Sequence, residues 1–253
     1  MKKVTFIGNG NMALSIAKGL QKEYAIEVVG RDMQKLQNFE NSLNVTIGKA
    51  LLDDFDITGK TLILCVKPAN VDEIATKFKG KAEVLYSVLA GTTLKKLTSS
   101  IAAEAYVRAM PNLAASVGAS MTTLTGDINY KEEALTLFSS IGTAQWLGSE
   151  KEIDIATALA GSGPAYLALI AEALADGAVK QGLKRDDAMV IMRGLFDGFG
   201  KLIQGEHPAL LKDGVMSPGG TTAAGYAALE EKGVRGACID TIEAAYKKAK
   251  ELS

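Results

Sequence analysis

The chain has 253 residues, enough for one large domain or two domains of ordinary size. Its 28 basic and 29 acidic side chains nearly cancel, so no overall field attracts nucleic acid or an acidic membrane surface. Aromatic residues make up only 6% of the chain, too few for a base-stacking platform, whereas 47% is hydrophobic and can fill a core. We therefore expect a globular protein whose partner is a small molecule, with neither a nucleic acid nor a membrane as partner.

The N-terminus and the cysteines bear on the compartment. The chain begins MKK, but the apolar run at 4–7 is too short for the core of a signal peptide. No stretch is expected to reach the roughly 18 to 20 apolar residues that span a bilayer. Cys65 and Cys238 lie far apart in the sequence and form no metal-binding spacing. These features predict a cytoplasmic protein without a metal site.

The first half of the chain alternates short β-type runs with segments of helical spacing. The run at 61–66, TLILCV, is nearly all apolar, which is typical of a strand buried on both faces. Strands are predicted at 4–7, 25–29, 61–66, 83–89 and 105–109, and helices at 12–22, 33–42 and 94–101. This alternation predicts a parallel sheet covered by helices.

From about residue 150 the strand-like runs stop and alanine-rich helical spacing takes over. Helices are predicted at 166–180, 188–204, 220–232 and 234–252. We therefore predict an α/β domain at 1–150 and an all-α domain at 151–253. Because the helical half is apolar on more than one face, we expect it to pack against a second copy of the chain. Dense packing against the α/β half is the alternative.

A glycine-rich turn joins the first strand to the first helix. It has the GxGxxA spacing of a Rossmann dinucleotide site and reads Gly8, Asn9, Gly10, Asn11, Met12, Ala13. Gly8 permits the tight turn, Gly10 lets a pyrophosphate approach the backbone, and Ala13 keeps helix and strand close. The free N–H groups of the helix start favour phosphates. The α/β half is therefore predicted to be a Rossmann-type dinucleotide-binding domain, with an ordinary glycine-rich turn as the alternative.

The end of the second strand bears on the choice of nucleotide. NAD sites usually place an acidic residue there to bind the ribose 2′-hydroxyl. Here Gly30 is followed by Arg31, whose guanidinium suits a 2′-phosphate. Asp32 keeps an NAD site open, and an Arg31 that simply lies in solvent is a further alternative. The sequence favours NADPH as the cofactor, with NADH as the second option.

The ends of the later strands are also candidate ligand positions, because ligands bind at the carboxyl ends of strands in doubly wound sheets. Pro68 stops the third strand after Cys65, Val66 and Lys67. Cys65 is interpreted as a small core residue, and Lys67 faces either the cofactor or solvent. The next strands end in the same way, at VLAG (88–91) and RAMPN (108–112).

Two glycine-rich helix starts occur in the helical half, GSGPAY at 161–166 and SPGGTT at 217–222. Each offers bare backbone donors at a positive helix end, which suits a carboxylate, and each is equally well explained as a tight helix connection. His207, the one histidine, precedes Pro208 at a predicted helix entry and is interpreted as a solvated side chain. The sequence shows no Ser–His–Asp order, paired-carboxylate motif or metal cluster.

Five motifs in this order, GNGNMA, CVKP, RAMPN, GSGPAY and SPGGTTAAG, resemble those of the pyrroline-5-carboxylate reductase family. The resemblance runs from Val4 to about Ala245, and GSGPAY with SPGGTT is its most specific part. It implies an N-terminal NAD(P)-binding domain and an all-α C-terminal dimerisation domain that interlocks two subunits, with a decamer as the higher assembly. It also implies reduction of the C=N bond of 1-pyrroline-5-carboxylate to L-proline, the last step of proline biosynthesis.

The resemblance also implies roles for individual residues. The pyrophosphate falls to Gly8, Asn9, Gly10, Asn11, Met12 and Ala13, and the adenosine ribose to Arg31. Cys65, Val66, Lys67 and Pro68 run beside the cofactor, with Val88, Leu89 and Ala90 near the nicotinamide. The substrate is bound by Ser217, Gly219, Gly220, Thr221 and Thr222. In this arrangement backbone N–H groups hold the carboxylate, and Thr222, the catalytic residue, hydrogen-bonds the ring nitrogen.

This chemistry fits a chain with few acid–base candidates. An imine that binds as its iminium already carries the activating proton, so the enzyme supplies orientation rather than a strong general acid. β-Hydroxyacid dehydrogenases share the domain plan but need a lysine soon after the glycine motif, and here the first lysine after Gly163 is Lys180. Two alternatives stay open: a reductase of another cyclic imine carboxylate, and a non-catalytic NADP(H)-binding regulator.

Overall fold

The structure, a computed structural model, describes residues 1–252. The chain divides into two units. An α/β unit comprises Met1–Pro164 together with residues 244–252, and a helical unit comprises Ala165–Glu243.

Strands occupy the first part of the chain and helices occur throughout. The strands are β1 Lys3–Ile7, β2 Ala25–Gly30, β3 Gly48–Leu51, β4 Phe55–Asp56, β5 Thr61–Leu64, β6 Phe78–Lys79, β7 Ala82–Ser87, β8 Ala103–Met110, β9 Ser120–Gly126 and β10 Gly142–Trp146. The helices are α1 Asn11–Leu20, α2 Met33–Asn41, α3 Val71–Ala75, α4 Leu94–Ser100, α5 Lys131–Ser139, α6 Glu150–Ala156, α7 Gly163–Lys180, α8 Arg185–Leu202, α9 Pro208–Val215, α10 Thr221–Glu231 and α11 Val234–Leu252.

Eight of the strands form one sheet in the order β10-β9-β8-β7-β5-β1-β2-β3. The six from β8 to β3 pair in parallel, which confirms the predicted Rossmann-type sheet. From β1 the chain builds outward through β2 to β3, and then returns through β5 on the other side. The switch point of the sheet therefore falls between β1 and β5, where doubly wound sheets bind their ligands.

An edge pair of opposite direction extends this sheet. β9 runs antiparallel to β8, and β10 runs parallel to β9. Residues 111–119, which join β8 to β9, are fewer than the roughly twelve that a crossover between parallel strands needs. The short connection therefore imposes the reversal, which the sequence analysis did not predict.

Apolar side chains cover both faces of the sheet because successive residues of a strand point to opposite sides. Phe6 and Val28 belong to one buried cluster, together with Ile16 of α1, whereas the neighbouring residues Ile7 and Val29 belong to the other. The second cluster includes side chains of α3 and α4. Helices on both faces are what the near-continuous apolar strands predict.

The helical unit buries far less of its own apolar surface. Among the hydrophobic residues of 165–243, only Ala175 and Ala188 are buried. Large apolar side chains lie on the surface of α7 and α8, with Leu169 at 67% exposure and Ile191 at 60%. An apolar surface of this extent is typical of an interface.

One helical run corrects the expectation that no segment is long and apolar enough to span a membrane. Glu150–Lys180 meets that test by length and composition, and only 11% of its apolar window is buried. The sequence pattern predicted a helix only from residue 166 in this region, so α6 was not expected. A π turn at Thr157–Gly161 joins α6 to α7, so their apolar residues form one continuous stretch.

Candidate active site

A cleft of about 420 Å³ opens at the carboxyl ends of β1, β2 and β5, beside the switch point of the sheet. Seven of the predicted cofactor residues line it: Gly8, Asn9, Gly10, Arg31, Cys65, Val66 and Lys67. The other lining residues are Ile7, Val29, Gly30, Leu52, Asn70 and Ile74. The cleft is built wholly from residues of the α/β unit.

Gly8 stands where two strand ends approach each other. Its φ is +105°, and a Cβ placed on it would lie 2.7 Å from the carbonyl oxygen of Cys65. Its N–H donates to the Val29 carbonyl, and the Cys65 N–H donates to the Ile7 carbonyl. No side chain other than hydrogen fits this turn without moving backbone. The close approach fixes the floor of the cleft.

Gly10 and the start of α1 form an open part of the cleft. No atom lies within 4 Å of the position that a Cβ on Gly10 would occupy, so the space above this residue is open. Gly10 is the N-cap of α1, no side chain caps the helix, and its first turn carries no acidic residue. Ala13 is fully buried against the sheet. Open space, free N–H groups and a helix dipole together fit the pyrophosphate of a dinucleotide.

At the end of β2, Arg31 and Asp32 differ in what their side chains do. Arg31 lines the cleft and is 67% exposed, with its Nη1 3.8 Å from Oε1 of Glu73. Asp32 is the N-cap of α2, and its Oδ1 accepts a hydrogen bond from the Lys35 N–H at 3.1 Å. The carboxylate that kept an NAD site open is thus engaged in capping a helix. A cation rather than a carboxylate faces the cleft here.

The third strand ends earlier than predicted. β5 stops at Leu64, and Cys65, Val66 and Lys67 continue as a wall of the cleft before Pro68 begins a 3₁₀ turn. Burial raises the pKa of the Cys65 thiol well above its ordinary value, so this side chain stays protonated and apolar. This agrees with its interpretation as a small core residue rather than a nucleophile.

Several predicted cofactor residues lie beside the cleft rather than on its surface. Asn11 faces an adjoining hollow, which Asn9 and Gly10 also line. Met12 packs partly buried against the core. Val88 donates its N–H to the Leu64 carbonyl, and Leu89 is buried in the second cluster. Pro68 and Ala90 are also absent from the cleft lining, and the cofactor roles of all of these residues remain predictions.

Leu52, Asn70 and Ile74 line the cleft but were not predicted. Leu52 follows β3, whose mixed sequence GKAL gave no strand signal. Asn70 and Ile74 come just after the CVKP motif, in the 3₁₀ turn and α3. The turn that Pro68 imposes was the available signal, because it sends the following residues back along the same sheet edge.

The SPGGTT segment of the helical unit forms a tight turn followed by an uncapped helix. The Gly220 N–H donates to the Ser217 carbonyl at 3.0 Å, and Gly219 between them has φ +68°. Proline in second place and a positive-φ glycine in third are the marks of a type II turn. Gly220 is the N-cap of α10, and no side chain caps the helix.

The exposed start of α10 offers backbone donors to an anion. Thr221 and Thr222 occupy its first turn and are exposed. A Cβ on Gly220 would come within 2.5 Å of the Ser217 Oγ and 3.1 Å of the Ser217 carbonyl oxygen, so a side chain here would displace the Ser217 hydroxyl. Gly219 has no atom within 4 Å of its Cβ position. The predicted substrate residues therefore share one loop and one helix start.

The GSGPAY segment differs from the isolated helix start that the sequence predicts. It lies at the junction of the π turn with α7, where the Ser162 N–H donates to the Thr157 carbonyl. Pro164 has no N–H for the Ala160 carbonyl, and Nδ2 of Asn112 donates to that oxygen instead, at 3.0 Å. The RAMPN motif thus satisfies a backbone acceptor that the proline leaves free, and the helical run continues through the bend.

His207 has a structural role. It is the N-cap of α9, and its Nδ1 accepts a hydrogen bond from the Ala209 N–H at 3.2 Å, with Pro208 in the first turn. The predicted helix entry is confirmed, and the side chain is exposed. The side chain therefore contributes to the local helix start rather than to a catalytic site.

Comparison with known proteins covers both units. Residues 150–252 match the family model described as pyrroline-5-carboxylate reductase dimerisation. Residues 3–91 match the model described as NADP oxidoreductase coenzyme F420-dependent. The α/β and helical parts of the prediction therefore each have a family counterpart.

Similar proteins extend over nearly the whole chain. The pyrroline-5-carboxylate reductase of Pisum sativum is 38% identical, covering 98% of this chain and 95% of that protein. The enzyme of Thermus thermophilus is 34% identical, with 99% and 98% covered.

Among solved structures, a pyrroline-5-carboxylate reductase from Coxiella burnetii has a TM-score of 0.84 and 30% identity, with 99% of this chain and 98% of that chain covered. The pyrroline carboxylate reductase of Plasmodium falciparum, solved with NADP bound, has a TM-score of 0.80 and 26% identity, with 99% of each chain covered. The chain belongs to the pyrroline-5-carboxylate reductase family.

Proposed function

We propose that this protein reduces 1-pyrroline-5-carboxylate to L-proline with NADPH, which binds in the cleft of the α/β unit, and that the SPGGTT turn holds the substrate. The main evidence for this reaction is the similarity to pyrroline-5-carboxylate reductases over nearly the full length of the chain. The geometry of the two glycine-rich turns supports the assignment of residues. Each turn precedes a helix whose first N–H groups no side chain caps.

The nucleotide is held mainly by backbone. The pyrophosphate lies above Gly10 against the N–H groups of α1, where the structure leaves space, and Arg31 faces the 2′-phosphate. Cys65, Val66 and Lys67 form the facing wall. Val88, Leu89 and Ala90 follow β7 and lie toward the nicotinamide in this proposal.

The substrate needs a carboxylate site and a partner for its ring nitrogen. The Gly219–Gly220 backbone at the start of α10 supplies N–H donors and the positive end of a helix dipole. The hydroxyls of Ser217 and Thr221 flank this site, and Thr222 hydrogen-bonds the nitrogen. Pro218 fixes one side of the turn, so the donors are oriented before the substrate arrives.

The proposed reaction does not require a side chain that acts as a strong general acid. Bound NADPH supplies a hydride to the C=N carbon. The substrate binds as its iminium, so the nitrogen already carries its proton and becomes a neutral amine when the carbon is reduced. Thr222 keeps a hydrogen bond to this nitrogen throughout, and solvent protonates the released amine. Orientation is therefore the main contribution of these residues.

The exposed apolar helices support assembly through the helical unit. Only 11% of the apolar window in the run Glu150–Lys180 is buried, and the run lies within the region of the dimerisation match. A second copy of the chain that covers this surface removes it from water. Its burial therefore does not require a membrane. We propose a homodimer as the basic assembly, a decamer built from five such dimers as the higher assembly, and a cytoplasmic location.

A substrate panel tests the reaction. NADPH oxidation is expected with 1-pyrroline-5-carboxylate, and NADP⁺ reduction is not expected with a 2-hydroxy acid. Faster turnover of a six-membered cyclic imine carboxylate than of the five-membered one would reassign the substrate. Tight NADPH binding without oxidation of any imine would instead support a regulator.

A further inference from the structure

The ion pair between Arg31 and Glu73 lies at the cofactor cleft. Nη1 of Arg31 is 3.8 Å from Oε1 of Glu73, and the two side chains are 67% and 59% exposed. Glu73 lies in the first turn of α3, between Asn70 and Ile74, which line the cleft together with Arg31. A carboxylate thus adjoins the cation that we assign to the 2′-phosphate.

The neighbouring acids are engaged elsewhere. Asp32 caps α2. Asp72, beside Glu73 in α3, accepts hydrogen bonds from Lys96 and from Ser100. Glu73 makes its ion pair with Arg31 instead, and buried Val71 and Ile74 on both sides of it hold α3 against the core. The backbone of Glu73 is therefore fixed next to the cleft.

We propose that Glu73 is a specificity-determining residue that lowers the preference for NADPH over NADH. The inference rests on the proposed function, in which Arg31 faces the 2′-phosphate. A phosphate monoester carries a charge of about −1.5 to −2 near neutral pH, so it competes with Glu73 for Arg31 and is repelled by the carboxylate. The 2′-hydroxyl of NADH is neutral and donates a hydrogen bond to a carboxylate at this position.

The effect is moderate because the groups are exposed. Two unit charges about 4 Å apart in water interact by an energy that corresponds to about a five-fold change in an equilibrium. Salt screens such a repulsion. An effect of the Glu73 charge on cofactor preference therefore weakens as ionic strength rises, whereas an effect of cleft shape does not.

Glu73→Gln tests the proposal because it removes the charge and keeps the size. The ratio of kcat/KM for NADPH to kcat/KM for NADH is expected to rise about five-fold at low salt, and less at 0.5 M salt. Glu104→Gln is the matched control. Glu104 is paired with Lys81 at the same 3.8 Å and is 64% exposed. It lies near the start of β8, at the amino ends of the parallel strands, whereas the cleft lies at their carboxyl ends. This control is expected to leave the ratio unchanged.

An unchanged ratio in Glu73→Gln, or an equal rise in Glu104→Gln, overturns the inference. Arg31→Ala separates this failure from failure of the proposed function. A selective loss of NADPH in Arg31→Ala with no effect of Glu73→Gln rejects the role of Glu73 alone. Equal losses of NADPH and NADH in Arg31→Ala reject the 2′-phosphate assignment itself.

Discussion

The α/β unit and the helical unit bury their apolar side chains to very different extents. In the α/β unit, strand residues such as Phe6, Val28 and Leu64 are completely buried within their own chain. In the helical unit, alanines such as Ala175 are buried, while leucines and isoleucines of α7 and α8 face outward. The α/β unit thus buries its apolar core within one chain, whereas the helical unit leaves an apolar surface for a second copy to cover. The stability of the helical unit is therefore expected to depend on protein concentration.

The largest expected effect comes from placing a charge on the apolar helical surface. Ile191→Glu on α8 puts a carboxylate on the surface that we assign to the second copy, where burying it unpaired costs several kcal/mol. We expect loss of the oligomer and of activity, measured by light scattering after size exclusion and by NADPH oxidation.

Ile128→Glu is the control for this change. Ile128 is 64% exposed against 60% for Ile191, but it lies in the α/β unit, in a 3₁₀ turn between β9 and α5. The control is expected to keep the molar mass of the wild-type protein. An Ile191→Glu protein that assembles like wild type would remove the distinction between the two surfaces.

A smaller effect, confined to the α/β unit, is expected at the glycine turn. Gly8→Ala places a methyl group 2.7 Å from the Cys65 carbonyl oxygen at a φ of +105°. The free energy of unfolding is expected to fall by about 2 to 4 kcal/mol. Denaturant unfolding measures this loss.

Gly10→Ala separates folding from binding at the same turn. Nothing lies within 4 Å of the new methyl group, and the φ of −80° suits alanine. Unfolding is expected to stay within about 0.5 kcal/mol of wild type, while the Kd of NADPH rises about tenfold or more because the methyl occupies the phosphate space. Unchanged NADPH binding in this variant would contradict the position assigned to the pyrophosphate.

The α/β architecture could be predicted from the sequence because its strands are buried on both faces and read as continuous apolar runs. β9 and β10 escaped prediction because SMTTLTG and GTAQW contain no continuous apolar run. Their direction depends on the length of the preceding connection rather than on their own composition. Local sequence pattern carries no such information.

The parts of the candidate site that depend on local sequence could be predicted in the same way as the strands. Gly8 and Gly10 follow from a spacing within one turn, and the structure places both in the cleft. The contact of Gly8 with Cys65 and the ion pair of Arg31 with Glu73 join residues distant in sequence. The same holds for Asn112, which satisfies the carbonyl that Pro164 leaves free. Such contacts arise only once the strand order is known.

The division of work between the units is tested most directly at Thr222. In Thr222→Ala, kcat with 1-pyrroline-5-carboxylate is expected to fall about 10- to 100-fold, because a hydrogen bond to a charged group is lost. The Kd of NADPH, measured by fluorescence titration, is expected to stay unchanged. Thr241→Ala on α11, which removes a hydroxyl bonded to the Ala237 carbonyl, provides the matched control. An unchanged kcat in Thr222→Ala, or a loss that Thr241→Ala reproduces, would contradict the role of the SPGGTT turn.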